Sequence, residues 1–279
     1  MILNDSKFSV SVLMSVYEKE QPAFLRQALQ SLLEQVLQAD QVVLVCDGPI
    51  PSSLDEVVAE FSRVMPLTII RLPTNVGLAR ALNSGLQYCD SEWVARFDTD
   101  DICERNRFSK QIDFIKNNPD VDVLGSSIVE FESNPDEPYA MRKVKLTHAE
   151  IASAARFKNP MNHMTVIFRK NAVSGVGGYP FDELNEDYAL WIKLIMNGYR
   201  MSNISEPLVR ARAGRSMVSR RGGFNYFVTE FNMQKRILRE GFISIWIFFY
   251  NVIVRFFVRL MPNYLRNILY KLFLRDKTI

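Results

Sequence analysis

The first hundred residues switch between two hydrophobic periods, and that alternation restricts the fold more than any other feature of the chain. Residues 8–16 (FSVSVLMSV) form a short apolar run suited to a buried strand. Pro22 then opens a stretch in which Leu25, Ala28, Leu29, Leu32, Leu33 and Val36 recur at helical spacing. Residues 41–46 (QVVLVC) are rich in valine and run into Asp47, Gly48 and Pro49, a turn signal. Leu54, Val57, Val58 and Phe61 mark a second amphipathic helix, residues 67–71 a third strand, 75–88 a loop then a helix, and 92–97 a fourth strand. Strands this apolar need cover on both faces, so the rhythm predicts an α/β fold with a mainly parallel sheet between helices.

Beyond residue 100 the rhythm loosens. Residues 105–117 read as a helix and 121–131 as a strand, followed by a polar region to residue 160 with a helix near 147–157. A short strand at 165–168, a turn at 175–180 and a helix at 187–197 complete the reading. With 48% hydrophobic and 23% charged residues, the chain is too apolar for disorder. Cys46, Cys89 and Cys103 are odd in number and lack CxxC spacing, which argues against a disulfide framework or structural zinc and fits a reducing compartment. Residues 1–10 carry no secretory signal pattern. His148 and His163 are too few and too distant for a histidine-rich centre, so any metal falls to carboxylates.

In open α/β sheets ligands sit at the carboxyl ends of strands. There the chain places Asp98, Thr99, Asp100 and Asp101, three carboxylates in four residues. Such a group suits a hard divalent ion that also binds phosphate oxygens; an acidic loop capping the next helix is the competing reading. Glu186 and Asp187 open a helix behind the turn VGGYP. They suit either a general base or a pair favoured by the helix dipole. Asp47 suits a base N–H or simple turn chemistry. Asn75, Val76 and Gly77 form a polar loop entering a helix, fit for a phosphate or ribose contact or for a cap. Arg210, Arg212, Arg215, Arg220 and Arg221 crowd one glycine-containing stretch, read here as a flexible basic loop able to fold over a diphosphate or to lie solvated at the surface.

Taken in order, these residues resemble the family 2 inverting glycosyltransferases of GT-A fold, and the resemblance covers about residues 8–225. The turn after the first strand is Ser15-Val16-Tyr17-Glu18, the second strand ends in Cys46-Asp47-Gly48, and Asn75-Val76-Gly77 stands for the NxG loop. Asp98-Thr99-Asp100 corresponds to the DxD motif and Glu186-Asp187 to the ED motif. Residue 82 is Leu where the family often has arginine, with Arg80 displaced, and the QxxRW signature of processive synthases is missing, so single-sugar addition is expected. Residues 158–166 (KNPMNHMTV) and 220–223 (RRGG) look like the bacterial branch that assembles O-antigen and exopolysaccharide repeat units.

The resemblance implies a Rossmann-like nucleotide-sugar-binding mixed sheet. It implies UDP-sugar contacts from Tyr17, Glu18, Asp47, Asn75, Asp98, Arg220 and Arg221, and Mn2+ or Mg2+ held by Asp100 and Asp98. Asp187 is the implied base with Glu186 beside it, and His163 contacts the acceptor. The expected reaction is β transfer, β-1,3 by resemblance, of one hexose (UDP-glucose first, UDP-galactose next) onto GlcNAc-diphospho-undecaprenol. Two alternatives compete: a non-enzymatic nucleotide-sugar-binding module at a membrane, and another nucleotide-sugar enzyme of similar build. The second normally has a glycine-rich phosphate loop after its first strand, which SVYEKEQP lacks.

Net charge adds a division. Residues 235–279 carry nine basic and two acidic residues, a balance of +7, against a whole-chain charge of +3. The body is therefore net acidic, which disfavours nucleic acid as a partner. The apolar run 242–254 is about 20 Å as a helix, too short to span a bilayer core of about 30 Å. Domains are expected at 1–230 for catalysis and 231–279 for a basic amphipathic helical tail. That tail suits a peripheral protein on the cytoplasmic face of a bacterial inner membrane, with a lipid-diphosphate-linked acceptor.

Overall fold

Strand–helix alternation in the first half builds what its period requires. The computed structural model describes residues 8–180, 185–213 and 223–262. In it β1 (Val10–Val16), α1 (Pro22–Leu33), β2 (Gln41–Cys46), α2 (Ser52–Phe61), β3 (Leu67–Arg71), α3 (Leu78–Gln87) and β4 (Trp93–Arg96) follow one another. β1 lies between β2 and β4 and parallel to both, with Val16 level with Cys46 and Leu13 level with Arg96. The chain thus adds strands on one side of β1 and then crosses to the other. Strand order reverses there, and the residues after β1, β2 and β4 emerge at one edge.

The second half adds β5 (Ile102–Cys103), α4 (Arg107–Asn117), β6 (Val123–Phe131), β7 (Ala140–Arg142), α5 (His148–Ala155), β8 (Ile167–Arg169), α6 (Lys170–Gly175), α7 (Glu186–Met196) and β9 (Met201–Arg212). Among the described residues the sheet runs β3-β2-β1-β4-β8-β6-β9-β5, with β7 on β6. β8 is antiparallel to β4 and β6, and β5 antiparallel to β9, so the sheet is mixed. β9 was not expected. Glu206 and Pro207 interrupt its alternation at the point where its register against β6 shifts, and a shifted strand loses the period-two signal. Arg210 and Arg212 consequently belong to a strand and not to a flexible loop, a correction to the reading of that stretch.

Alternate residues of the strands feed two cores. Val12, Met14, Val42 and Leu44 pack with α1 and α2 on one face, while Leu13, Val43 and Val45 pack with α3 and α7 on the other. This is why the strands read as continuous apolar runs. α3 approaches closely at Gly85: a Cβ there would lie 2.6 Å from both Leu13 Cδ1 and Val45 Cγ2. Gly85→Val gains little helix propensity and overpacks two central strands, so it should cost about 3 kcal/mol, read as a lower denaturant midpoint.

A third apolar cluster joins the C-terminal helices to this body. α8 (Phe224–Arg239) and α9 (Ile245–Leu260) pair antiparallel and place Met233, Ile237 and Phe248 against Ala155, Tyr188 and Ile192. α8 crosses residue 230, so the tail's first helix begins before the boundary expected for it. Arg259 makes a bidentate pair with Glu230 at 2.7 Å, and Asn251 meets Gln234 at 2.8 Å, giving the hairpin a polar seam.

Candidate active site

Three loops at the switch edge carry the expected donor-binding residues. Tyr17, 41% exposed, and Glu18 follow β1. Asp47, after β2, is buried and accepts hydrogen bonds from the Val76 and Gly77 amides at 2.7 and 3.1 Å. Asn75 donates to the Asp47 carbonyl at 3.2 Å. Gly48 has φ of 86°, and a Cβ on it would meet Asn75 N at 2.7 Å, so only glycine lets the two loops lie together. Asp47 therefore pins the Asn75–Gly77 loop, and its carboxylate retains acceptor capacity for a further N–H.

After β4 the acidic segment is held by two arginines that are buried or stacked. Arg96 is 1% exposed and its guanidinium pairs with Asp98, while its Nε and Nη1 find no partner among the described residues. Arg212 on β9 lies between the Phe24 and Phe131 rings, 3.8 and 4.6 Å from their centroids. Its backbone N–H donates to Asp101 at 2.8 Å and its Nε to the Asp100 carbonyl at 3.0 Å. Asp101, 2% exposed, is thus a support for the segment. Thr99 donates to Glu20 at 2.6 Å. Burial, with repulsion from Asp98 and Glu20, pushes the Asp100 carboxyl up to about 7.

The ED pair comes to the same place. α7 begins at Glu186, and burial together with the Asp187 charge pushes the Glu186 carboxyl up to about 7. Glu186 lies within electrostatic reach of both Arg96 and Asp98. Asp187 accepts from Asn159 Nδ2 at 2.6 Å and from the Tyr188 amide at 2.7 Å. The glycine turn before α7 is fixed by Asn83, which accepts from the Tyr179 amide at 2.8 Å and donates to its carbonyl at 2.7 Å. His163 sits in the turn His163–Thr165, 8% exposed, with Nε2 3.1 Å from the Tyr179 hydroxyl and its ring edge-on to Trp191. Burial, then the Arg96 charge, holds its pKa well below the imidazole range, so it is a neutral wall residue.

Glu186 makes a pH-dependent stability test. Its unfolded carboxyl titrates near 4.5 and its folded one near 7, so the folded state keeps a proton that the unfolded chain has lost between those values. Stability then falls as pH rises through that window. Glu186→Gln should match the parent at pH 4 and exceed it by about 2 kcal/mol at pH 8, measured by urea unfolding in EDTA.

Sequence reading gave Arg96 and Tyr179 no part in the site, put Arg212 in a basic loop over the diphosphate where the structure has it bracing Asp100 and Asp101, and left Asn159 without a role inside KNPMNHMTV. Arg215, Arg220 and Arg221 lie outside the described residues. For a metal, Asp98 and Asp100 offer oxygen donors only, and the repulsion around Asp100 is the kind a dication relieves. Among the described residues no three His, Cys, Asp or Glu side chains converge on one point. The protein would thus supply one or two ligands and leave the rest to phosphate and water, which fits Mg2+ or Mn2+.

Comparison with known proteins identifies the family and the fold. Residues 11–175 match glycosyl transferase family 2. An amylovoran biosynthesis glycosyltransferase of Erwinia amylovora is 40% identical, over 94% of this chain and 97% of its own. A UDP-Gal:alpha-D-GlcNAc-diphosphoundecaprenol beta-1,3-galactosyltransferase of Escherichia coli is 38% identical, over 98% and 99%. In fold, a Pyrobaculum calidifontis mannosyltransferase solved with GDP-Man and Mn2+ superposes with a TM-score of 0.64 at 18% identity, over 89% of this chain and 69% of its own. The mixed sheet is the GT-A architecture. With the family match spanning more than half of the chain, and two relatives alike along nearly all of it, this protein belongs to glycosyl transferase family 2.

Proposed function

We propose that the protein transfers one hexose from a UDP-sugar, with inversion, to GlcNAc-diphospho-undecaprenol during assembly of a bacterial polysaccharide repeat unit. One observation carries the chemistry: Asp98 and Asp100 after β4 and Glu186 at the start of α7 lie within electrostatic reach of the buried Arg96, and Asp187 stands beside Glu186. The names of the two full-length relatives support the polysaccharide setting and the lipid-linked acceptor. The E. coli relative's name supports galactose and a β-1,3 linkage, beside the glucose expected from sequence.

In this scheme uracil lies against Tyr17 and Asp47, with Glu18 and Asn75 at the nucleoside and Asp98 at the ribose. Asp100, with Asp98, would hold Mg2+ or Mn2+, and a bound ion would supply positive charge against the departing UDP. Arg220 and Arg221 add positive charge to the same diphosphate. Asp187 takes the proton of the acceptor hydroxyl as that oxygen attacks the anomeric carbon. Its hydrogen bonds from Asn159 and the Tyr188 amide orient the carboxylate for this. Glu186 lies next to it in the first turn of α7. His163 meets the acceptor sugar from the aromatic wall. A single displacement with one base inverts the α-linked donor to a β-glycoside.

The C-terminal hairpin brings the enzyme to its lipid substrate as a peripheral protein on the cytoplasmic leaflet. Among the described residues no helix is long and apolar enough to cross a membrane. α9 nonetheless exposes Trp246, Phe249, Tyr250, Ile253 and Phe257, with Trp246 80% exposed. An apolar face backed by a basic tail suits an anionic lipid surface. Trp246→Glu with Phe249→Glu should abolish sedimentation with phosphatidylglycerol vesicles while UDP binding persists; unchanged sedimentation would remove α9 as the anchor.

The overall reading is tested with UDP-Glc and UDP-Gal, each against a synthetic GlcNAc-α-diphospho-lipid, with and without EDTA. Metal-dependent transfer of one hexose is expected. No transfer from either donor would overturn the UDP-hexose assignment.

A further inference from the structure

α9 faces outward with its aromatic residues, but its inner side reaches the segment that holds Asp187. Asn251, 1% exposed, donates to the Arg156 carbonyl at 2.8 Å. One turn on, Arg255 Nη2 donates to the Phe157 carbonyl at 2.9 Å. Tyr250 meets the Phe157 ring edge-on, with centroids 6.0 Å apart. Arg156 and Phe157 close the last turn of α5, where they would otherwise leave carbonyls unsatisfied. Two residues further, Asn159 donates to Asp187 Oδ2 at 2.6 Å, and its own Oδ1 accepts from the Met161 amide at 3.2 Å.

Little slack separates these contacts. Pro160 restricts the backbone of Asn159 to extended conformations, so a shift of the α5 end passes to the Asn159 amide. The residue after Asp187 is tied to the same turn, since the Tyr188 hydroxyl donates to the Ala155 carbonyl at 2.7 Å. Ala155 and Tyr188 also share an apolar cluster with Met233, Ile237 and Phe248 of the hairpin.

We infer that α9 sets the position of Asp187 through the 156–159 segment, with Asn159 as the positioning residue and Asn251 and Arg255 as the clamp that holds it. The inference rests on the reading of Asp187 as the general base. Attachment to the lipid surface and alignment of the base would then share one helix. A misplacement of about 1 Å at a reacting group costs about 100-fold in rate, so a small displacement of Asn159 is sufficient to matter.

The test uses the full-length protein and steady-state kinetics with UDP-hexose and the diphospho-lipid acceptor. Asn159→Ala should lower kcat about 10- to 100-fold with the donor KM unchanged within twofold. Asn251→Leu and Arg255→Met should each lower kcat about 5- to 20-fold with the same unchanged donor KM. Asn159→Ala combined with Arg255→Met should be no slower than Asn159→Ala alone, because both act through one contact. Arg255→Met serves if Asn251→Leu does not fold: it also gives up a 3.8 Å pair with Glu230, but Arg259 still holds that carboxylate at 2.7 Å.

Losses that multiply in the double variant, a kcat within twofold of the parent for Asn159→Ala, or loss of UDP binding in step with kcat would each overturn the inference. Asp187→Asn separates the two readings. If it is inactive while the Asn159 and α9 variants are normal, only the coupling fails. If it is active, the base assignment fails first.

Discussion

Asp187→Asn should lower kcat for hexose transfer by about 1,000-fold or more while UDP affinity stays within twofold of the parent. The amide is nearly the size of the carboxylate and keeps the start of α7 intact, but it cannot accept a proton at neutral pH. Asp187 has the position for the task, being half-buried with hydrogen bonds from Asn159 and the Tyr188 amide. Isothermal titration with UDP and a radiolabelled transfer assay would check the two halves of the prediction. Transfer above one tenth of the parent rate would remove Asp187 from the scheme.

The second large effect is at Asp100. Asp100→Asn should abolish detectable metal-dependent transfer and weaken Mn2+ binding at least tenfold, because in the proposed scheme Asp100 and Asp98 would be the ion's only protein ligands among the described residues. The same substitution should stabilise the metal-free protein. Its carboxyl ordinarily ionises near 3.8 and is pushed to about 7 by burial and by Asp98 and Glu20, so ionising it in the fold costs energy that grows from pH 4 to pH 7. Removing that charge should raise Tm in EDTA at pH 8 by about 2–4 °C, and not at pH 4. Loss of activity joined to a gain in stability distinguishes a functional carboxylate from a structural one, whose loss lowers both.

The parts of this site that could be read from sequence share a cause. Asp47, Asp98, Asp100, Glu186 and Asp187 all stand just beyond a strand or at the first turn of a helix, and those positions are set by local periodicity. The parts that escaped reading depend on partners far along the chain. Arg96 hid in the strand WVAR as one charge in an apolar run; its meaning comes from Asp98 on the same face and from Glu186, ninety residues later. Arg212 looked like loop because Pro207 breaks the alternation of β9, and only the pairing of β9 with β5 brings it to Asp100 and Asp101. Asn159 stood within the stretch KNPMNHMTV but with no role of its own, since its partner is set by how α5 packs on α7. Likewise the α8–α9 hairpin was legible as apolar and basic, whereas its docking on Tyr188 and Ile192 needed the tertiary structure.

The most direct measurement is the anomeric configuration of the product formed from an α-linked UDP-hexose. Proton NMR of the purified disaccharide lipid reads it from the coupling constant of the new anomeric proton. A single base at Asp187 and a single displacement predict a β-glycoside; an α-glycoside would contradict the account.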